Sequence, residues 1–144
     1  MSQENVEIVR RLSEFLKDGD WEAMSELVDP DVELHGTVGG LEEDHFSRGL
    51  DPIRQRFEAE DNEVWDEHRI EPLRFIDAGE RVVLFQREYQ RGKGSGVEIE
   101  IDTSTVFDLR GGRIVRIQPY MKPSRSPRSR GAVGARRSGR VLSL

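Results

Sequence analysis

The imidazole at position 35 ends the alternating run Val32-Glu33-Leu34-His35, and of all side chains in this sequence it is best suited to take a proton from carbon. Imidazole titrates near neutral pH, so one group can serve as base and then as acid in the same cycle. Abstraction of a proton beside a carbonyl needs such a group and no cofactor. It also needs a polar partner for the oxygen, and the long run 97–109 offers two neighbours, Asp102 and Thr103. Alternation places Val97, Ile99, Ile101, Thr103, Thr105 and Phe107 on one face, and Glu98, Glu100, Asp102 and Ser104 on the other. The first face is core or pocket, so Thr103 is expected inward; a slip of one residue would bring Asp102 inward instead.

Other chemistries find little support. His45 falls in a polar loop and His68 at a strand start, both expected in solvent, and the three histidines lack a ligand spacing such as H-x-x-x-H, so no metal is expected. The absence of cysteine excludes disulfides, thiolate metal sites and cysteine nucleophiles, and fits a cytoplasmic protein. Gly92, Gly94 and Gly96 superficially suggest a phosphate loop, but they sit between two strands and read better as a hairpin. No nucleophile elbow, dinucleotide fingerprint or cofactor motif is present. No apolar run approaches the roughly 18 residues that span a bilayer, and Met1-Ser-Gln-Glu-Asn does not read as a signal peptide, so no membrane partner is expected.

Charge divides the chain of 144 residues. Seven of its 22 Lys and Arg lie after Met121, leaving 15 against all 28 acidic residues before it, a balance of −13. An acidic body is a poor nucleic-acid binder, because phosphate contact needs a basic face. Residues 1–121 are expected to form one domain. Residues 122–144, with no acid and no apolar period, have the composition of a basic disordered tail. One permitted codon choice for residues 124–136, shifted by one base, encodes Ala-Gly-Ala-Leu-Glu-Ala-Val-Gly-Leu-Ser-Glu-Gln, so we also consider a frameshifted ending. A gene without that shifted frame would dispose of the idea.

The elements that must position these residues follow from periodicity. Ile8, Val9, Leu12, Phe15 and Leu16 recur at helical steps, as do Trp21, Met24, Leu27 and Val28. Gly19 suits a helix C-terminus, Asp20 an N-cap, and Asp29-Pro30 a stop. A strand is expected from Val32 to His35, then a glycine-containing loop over 36–48. Asp51-Pro52 should cap and open a third helix that fades after Phe57. From His68 the period becomes two, with strands over 68–76, 81–90, 97–109 and 113–121 joined by turns rich in glycine. On the last strand Val115, Ile117, Pro119 and Met121 form the apolar face. Helices first and sheet second predicts an α+β fold, with three helices on one face of a curved antiparallel or mixed sheet.

Three blocks together resemble the SnoaL-like branch of the nuclear-transport-factor-2-like superfamily, which includes ketosteroid isomerases and polyketide cyclases. They are Gly19-Asp-Trp…Asp29-Pro-Asp-Val-Glu33, Gly49-Leu-Asp-Pro-Ile-Arg-Gln-Arg-Phe57 and Gly112-Arg-Ile-Val-Arg-Ile-Gln-Pro-Tyr-Met121. The resemblance implies a conical α+β fold, usually homodimeric, enclosing an apolar pocket. In the isomerases the general-base Asp lies near the first strand, where this chain has Leu34-His35. Their oxyanion Tyr falls at about Leu12, and their protonated Asp near Thr103, with Asp102 adjacent. Without the Tyr, steroid isomerisation is not expected; a cyclase-like reaction needs little more than a base and an oxyanion donor.

The resulting expectation is a cofactor-free pocket for a small apolar carbonyl compound. His35 is its base and Asp102 or Thr103 its polar partner. Leu12, Phe15, Trp21, Phe57, Ile101, Ile117 and Met121 form the wall, and Arg48 stands at the mouth. A homodimer is expected through the outer sheet face bearing Ser104, Arg116, Gln118 and Tyr120. The competing expectation is a non-catalytic homodimeric interaction domain whose cavity is imperfect packing.

Overall fold

A computed structural model describes residues 2–121, without the side chains of residues 2, 61 and 62. The basic segment 122–144, and with it the expected tail and frame change, lies outside the described residues. The elements are α1 (Ser2–Asp18), α2 (Trp21–Met24), β1 (Val28–His35), β2 (Phe46–Arg48), α3 (Leu50–Glu63), β3 (Trp65–Asp77), β4 (Arg81–Gly92), β5 (Glu98–Arg110) and β6 (Arg113–Met121). The strands form one mixed sheet in the order β2-β1-β6-β5-β4-β3, in which β1 and β6 run parallel and the other pairs antiparallel. This is the α+β architecture that the period change at His68 predicts.

Local signals work best at the first helix end. Gly19 takes φ 72, and the Asp20 N–H reaches back to the Phe15 carbonyl at 2.8 Å, so the orphan carbonyls of α1 are answered. The Asp20 carboxylate then accepts from the Ala23 N–H at 3.1 Å. The helix it caps lasts one turn only. Contrary to the expected stop at Asp29-Pro30, β1 begins at Val28 and passes through both residues. Its pairing with β6 skips from Val28 to Glu33, so the missing N–H of Pro30 falls in the irregular stretch and costs no ladder bond.

Two further boundaries differ. The loop expected over 36–48 contains β2, which pairs with the end of β1. Gly49, at φ 89, rather than Asp51 precedes α3, which puts Pro52 third in the helix, still in the first turn, where no N–H partner exists to lose. On β6 it is Ile114, not Val115, that is buried, because the ladder shifts register between Asp108 and Leu109.

The core joins Val9 and Leu12 of α1, Ile53 of α3, Val32 and Leu34 of β1, Val82 and Leu84 of β4, and Phe107 and Leu109 of β5. All the helices therefore pack on one side of the sheet. Register shifts at residues 72–74 and 108–109 bend the strands around them, which makes that side concave.

Candidate functional site

On β4 the inward stripe begins with Val82 and Leu84 and then turns polar at Gln86 and Glu88. Cross-strand pairing sets Gln86 opposite Thr103 and Glu88 opposite Ile101, while His68 on β3 stands opposite Gln90. Five polar side chains, Gln86, Glu88, Gln90, Thr103 and His68, therefore converge on the concave face. The Thr103 hydroxyl donates to Glu88 Oε2 at 2.8 Å, and Gln86 Nε2 donates to Thr103 Oγ1 at 3.1 Å and to Glu88 Oε2 at 3.3 Å. His68 Nε2 lies 3.2 Å from Glu88 Oε1, and Gln90 Nε2 donates to the same oxygen at 3.4 Å. An ionised carboxylate only accepts, so the His68 contact requires a proton on Nε2.

Burial pushes the Glu88 carboxyl up, but the hydrogen bonds from His68 and Thr103, the nearby imidazole and Gln86 outweigh it and hold the group below the ordinary carboxylate range. A carboxylate and an imidazole held together in this way can keep one proton between them. Such a pair orients the ring and stabilises its charged form.

Thr103 is the inward neighbour of the pair 102/103. Asp102 points to the outer face and receives a 2.9 Å bond from Arg87 Nε. Of the expected wall, Leu12 is buried, and Phe15, Trp21, Phe57 and Ile117 pack against the same cluster, with Trp21 and Phe57 edge to face at 5.8 Å. Ile101 and Met121 stand across from Glu88 and Thr103 respectively. Met121 remains partly exposed.

His35 takes the opposite direction from the one expected. Leu34 is the buried residue, seated beside Ile117, and alternation sends His35 to the outer face with Glu33. There His35 Nε2 lies 3.0 Å from Glu33 Oε1 and 3.2 Å from Arg116 Nε, while its ring meets Phe46 edge-on at 5.0 Å. The two polar contacts are alternatives: a protonated Nε2 donates to Glu33, and a bare one accepts from Arg116. The bond to His35, with Arg48 adding to it, holds the Glu33 carboxyl below its ordinary range despite some desolvation. Arg48, expected at a pocket mouth, is exposed and donates to Glu33 Oε2 at 3.1 Å. The strand geometry thus separates His35, Asp102 and Arg48 from Thr103.

His68, Gln86 and Glu88 were not among the expected site residues. Their sequence clue is the β4 stripe itself, in which an apolar face continues into Gln and Glu without a change of period. A cleft of about 340 Å³ lies at the far end of the same strands, between Asn5 of α1, Glu80 of the β3–β4 turn, and Arg110 at the end of β5. Turn backbone makes up much of its lining, and it shares no residue with the polar cluster. Among the described residues no group of three or more His, Cys, Asp or Glu is placed to hold a metal, and no helix is long and apolar enough to cross a membrane.

Residues 9–117, from the middle of α1 to β6, match the family model described as SnoaL-like domain. The chain belongs to that family. Among solved structures, this SnoaL-like protein superposes on TerC co-crystallised with polyporic acid (TM-score 0.70, 25% identity, 83% of this chain and 92% of that chain covered). It also superposes on a nuclear-transport-factor-2-like protein of unknown function from Burkholderia pseudomallei (0.72, 23%, 85% and 92%). A third match is a protein from Jannaschia sp. CCS1 described as a SnoaL-like polyketide cyclase (0.70, 19%, 85% and 88%). The latter two show the shared conical fold. No curated protein matches this SnoaL-like sequence.

Proposed function

We propose that this SnoaL-like protein binds a small apolar carbonyl compound on the concave sheet face and moves a proton on it without a cofactor, as an isomerase or cyclase does. The observation that carries the reading is the His68–Glu88 pair, a carboxylate held toward its ionised form next to an imidazole on the concave face, beside the apolar core. The pair takes the proton from carbon, and Thr103 and Gln86 hold Glu88 in place. The co-crystallised polyporic acid of TerC supports a ligand role for this fold, and the cyclase description of the Jannaschia protein supports the reaction class.

The test uses 1-tetralone as a probe and follows exchange of its α-protons in D2O by NMR. Wild-type protein should accelerate exchange, and Glu88→Gln or His68→Gln should reduce that acceleration by about 10²-fold or more, the usual range for a general base. Exchange at the wild-type rate in both variants would end the proposal.

A second reading, a non-catalytic homodimeric interaction domain, draws on the outer sheet face. Rows Ile76–Val83–Val106–Gln118 and Arg74–Phe85–Ser104–Tyr120 place Ile76, Val83, Val106, Phe85 and Tyr120 near one another, with Arg74 and the pairs Arg87–Asp102 and Arg81–Asp108 around them. An apolar centre with a charged rim is the anatomy of an interface. We propose a homodimer through this face under either reading.

A further inference from the structure

Gln90 ends the polar part of the inward β4 stripe, two residues beyond Glu88 and on the same face. Ladder pairing sets it between His68 of β3 and Ile99 of β5. Its side chain makes one hydrogen bond among the described residues, from Nε2 to Glu88 Oε1 at 3.4 Å. That is longer than the usual range of about 2.7–3.2 Å, so the amide is loosely held. An ionised carboxylate only accepts, which turns the amide nitrogen rather than its oxygen toward Glu88. The nitrogen carries two protons, and one of them has no acceptor.

The neighbouring donors are spent. The Thr103 hydroxyl donates to Glu88, and the Gln86 amide nitrogen serves Thr103 and Glu88 with its two protons. Away from the cluster, Arg56 of α3 gives Nη2 to Glu42 Oε1 at 2.9 Å and keeps Nη1 unpartnered. That Nη1 is the one side-chain nitrogen or oxygen, among the described residues, that is both enclosed and unpartnered, so no ligand reaches it. The Gln90 amide oxygen lacks a partner too and is therefore not enclosed: its head group meets open space. Ile99 beside it is 43% exposed, so the concave face is uncovered there.

His68 Nε2 and Gln90 Nε2 lie 3.2 and 3.4 Å from the same carboxylate oxygen, Glu88 Oε1. The spare N–H and the acid–base pair thus fall within the span of one carbonyl group and the carbon beside it. Ile70 and Ile101 flank Glu88, and Ile99 flanks Gln90, so hydrocarbon attached to that carbonyl meets aliphatic side chains. Glu88, held toward its ionised form, repels an anion at this place, whereas an uncharged oxygen meets no such penalty.

We propose that Gln90 anchors the carbonyl oxygen of the ligand through the second N–H of its amide. The inference rests on the proton-transfer reading above and names the oxygen donor that reading lacks. When the C–H bond beside the carbonyl breaks, its electron pair forms the enolate C=C, and the C=O π pair moves onto oxygen. The proton rests on the His68–Glu88 pair, and the Gln90 N–H strengthens its bond to the developing negative charge.

The experiment compares 1-tetralone with tetralin, which lacks only the oxygen, by calorimetric titration. It adds the C=O stretch of bound carbonyl-labelled tetralone and its α-proton exchange at saturation. In wild type the stretch should fall below its value in hydrocarbon solvent. Gln90→Met removes the donor and keeps the side-chain length. It should weaken tetralone about three- to tenfold, the size of one hydrogen bond, and leave tetralin within about twofold. The stretch should move back up, and saturated exchange should slow by about 10²-fold. Gln90→Leu should give the same losses and serves if the Met variant fails to fold. A residue that merely braces Glu88 would alter neither the stretch nor the ratio of the two affinities. An unchanged stretch in a folded variant, or equal changes for both probes, would therefore overturn the anchor and leave the proton-transfer reading standing. A wild type that binds tetralone without accelerating exchange would end the proton-transfer reading, while the stretch and the affinity ratio would still decide the anchor. A wild type that binds neither probe would overturn both.

Discussion

At the scale of single residues, Glu88 and Thr103 make the most exacting pair. The folded-state pKa of Glu88 is depressed, so its contribution to stability is present above the ordinary carboxylate value and disappears as pH falls through the lower folded value. Thr103→Val keeps the shape but removes the 2.8 Å donor and leaves a Gln86 proton without its acceptor. We expect a loss of about 1–3 kcal/mol at neutral pH. The Glu88 pKa should also rise toward its unfolded value, so that the loss of stability in acid becomes smaller and is complete at a higher pH than in wild type. Urea midpoints between pH 3 and 7 measure both effects. Superimposable acid limbs would show that Thr103 does not tune the carboxylate. On the outer face His35 contacts Glu33 and Arg116, where the imidazole joins β1 to β6.

At the scale of elements, the loop between β1 and β2 decides whether Arg56 is held. Gly36 sits so close to its far side that an added Cβ would overlap the Glu42 carbonyl oxygen at 1.8 Å. The same glycine's carbonyl accepts from Gln118 Nε2 at 2.9 Å, so it cannot retreat without breaking that bond. Gly36→Ala is therefore expected to displace the segment around Glu42 and to cost about 1–3 kcal/mol, in the range of overpacked sites. Thermal unfolding would register the loss, and the amide resonances of residues 40–45 should move while those of β3 stay in place. An unchanged melting temperature would mean that the loop shifts freely. Helix α2 illustrates the opposite case, in which a sound cap starts a helix that tertiary pairing then stops: Asp20 works as predicted, yet the chain turns into β1 four residues after Met24.

At the scale of the whole molecule, the sheet has two unlike sides. Helices and the His68–Glu88 cluster occupy the concave side, and the outer side carries Phe85 and Tyr120 within a frame of ion pairs. An antiparallel face left without helices meets either water or a partner. Phe85→Asp places a charge at the centre of the proposed interface while leaving the concave cluster untouched. Light scattering at micromolar concentration should give twice the chain mass for wild type and the single-chain mass for the variant. A monomeric wild type would remove the dimer.

Much of the scaffold was legible in residue order because periodicity is local. Alternation from His68 onward, glycine-rich turns and the capped end of α1 each report on a few consecutive residues, and the strands over 81–90, 97–109 and 113–121 lie within one or two residues of their observed limits. The inward direction of Thr103 was readable for the same reason, since six alternating residues outvote a slip of one. What periodicity could not reveal was which side of β1 meets the core. Leu34 and His35 alternate equally well either way, and only the seat of Leu34 beside Ile117, 83 positions on, sends the imidazole outward. The cluster of His68, Gln86, Glu88 and Thr103 comes from three strands, and Arg56 is orphaned by the packing of a helix against a loop. Those arrangements are long-range, and the tertiary structure alone decided them.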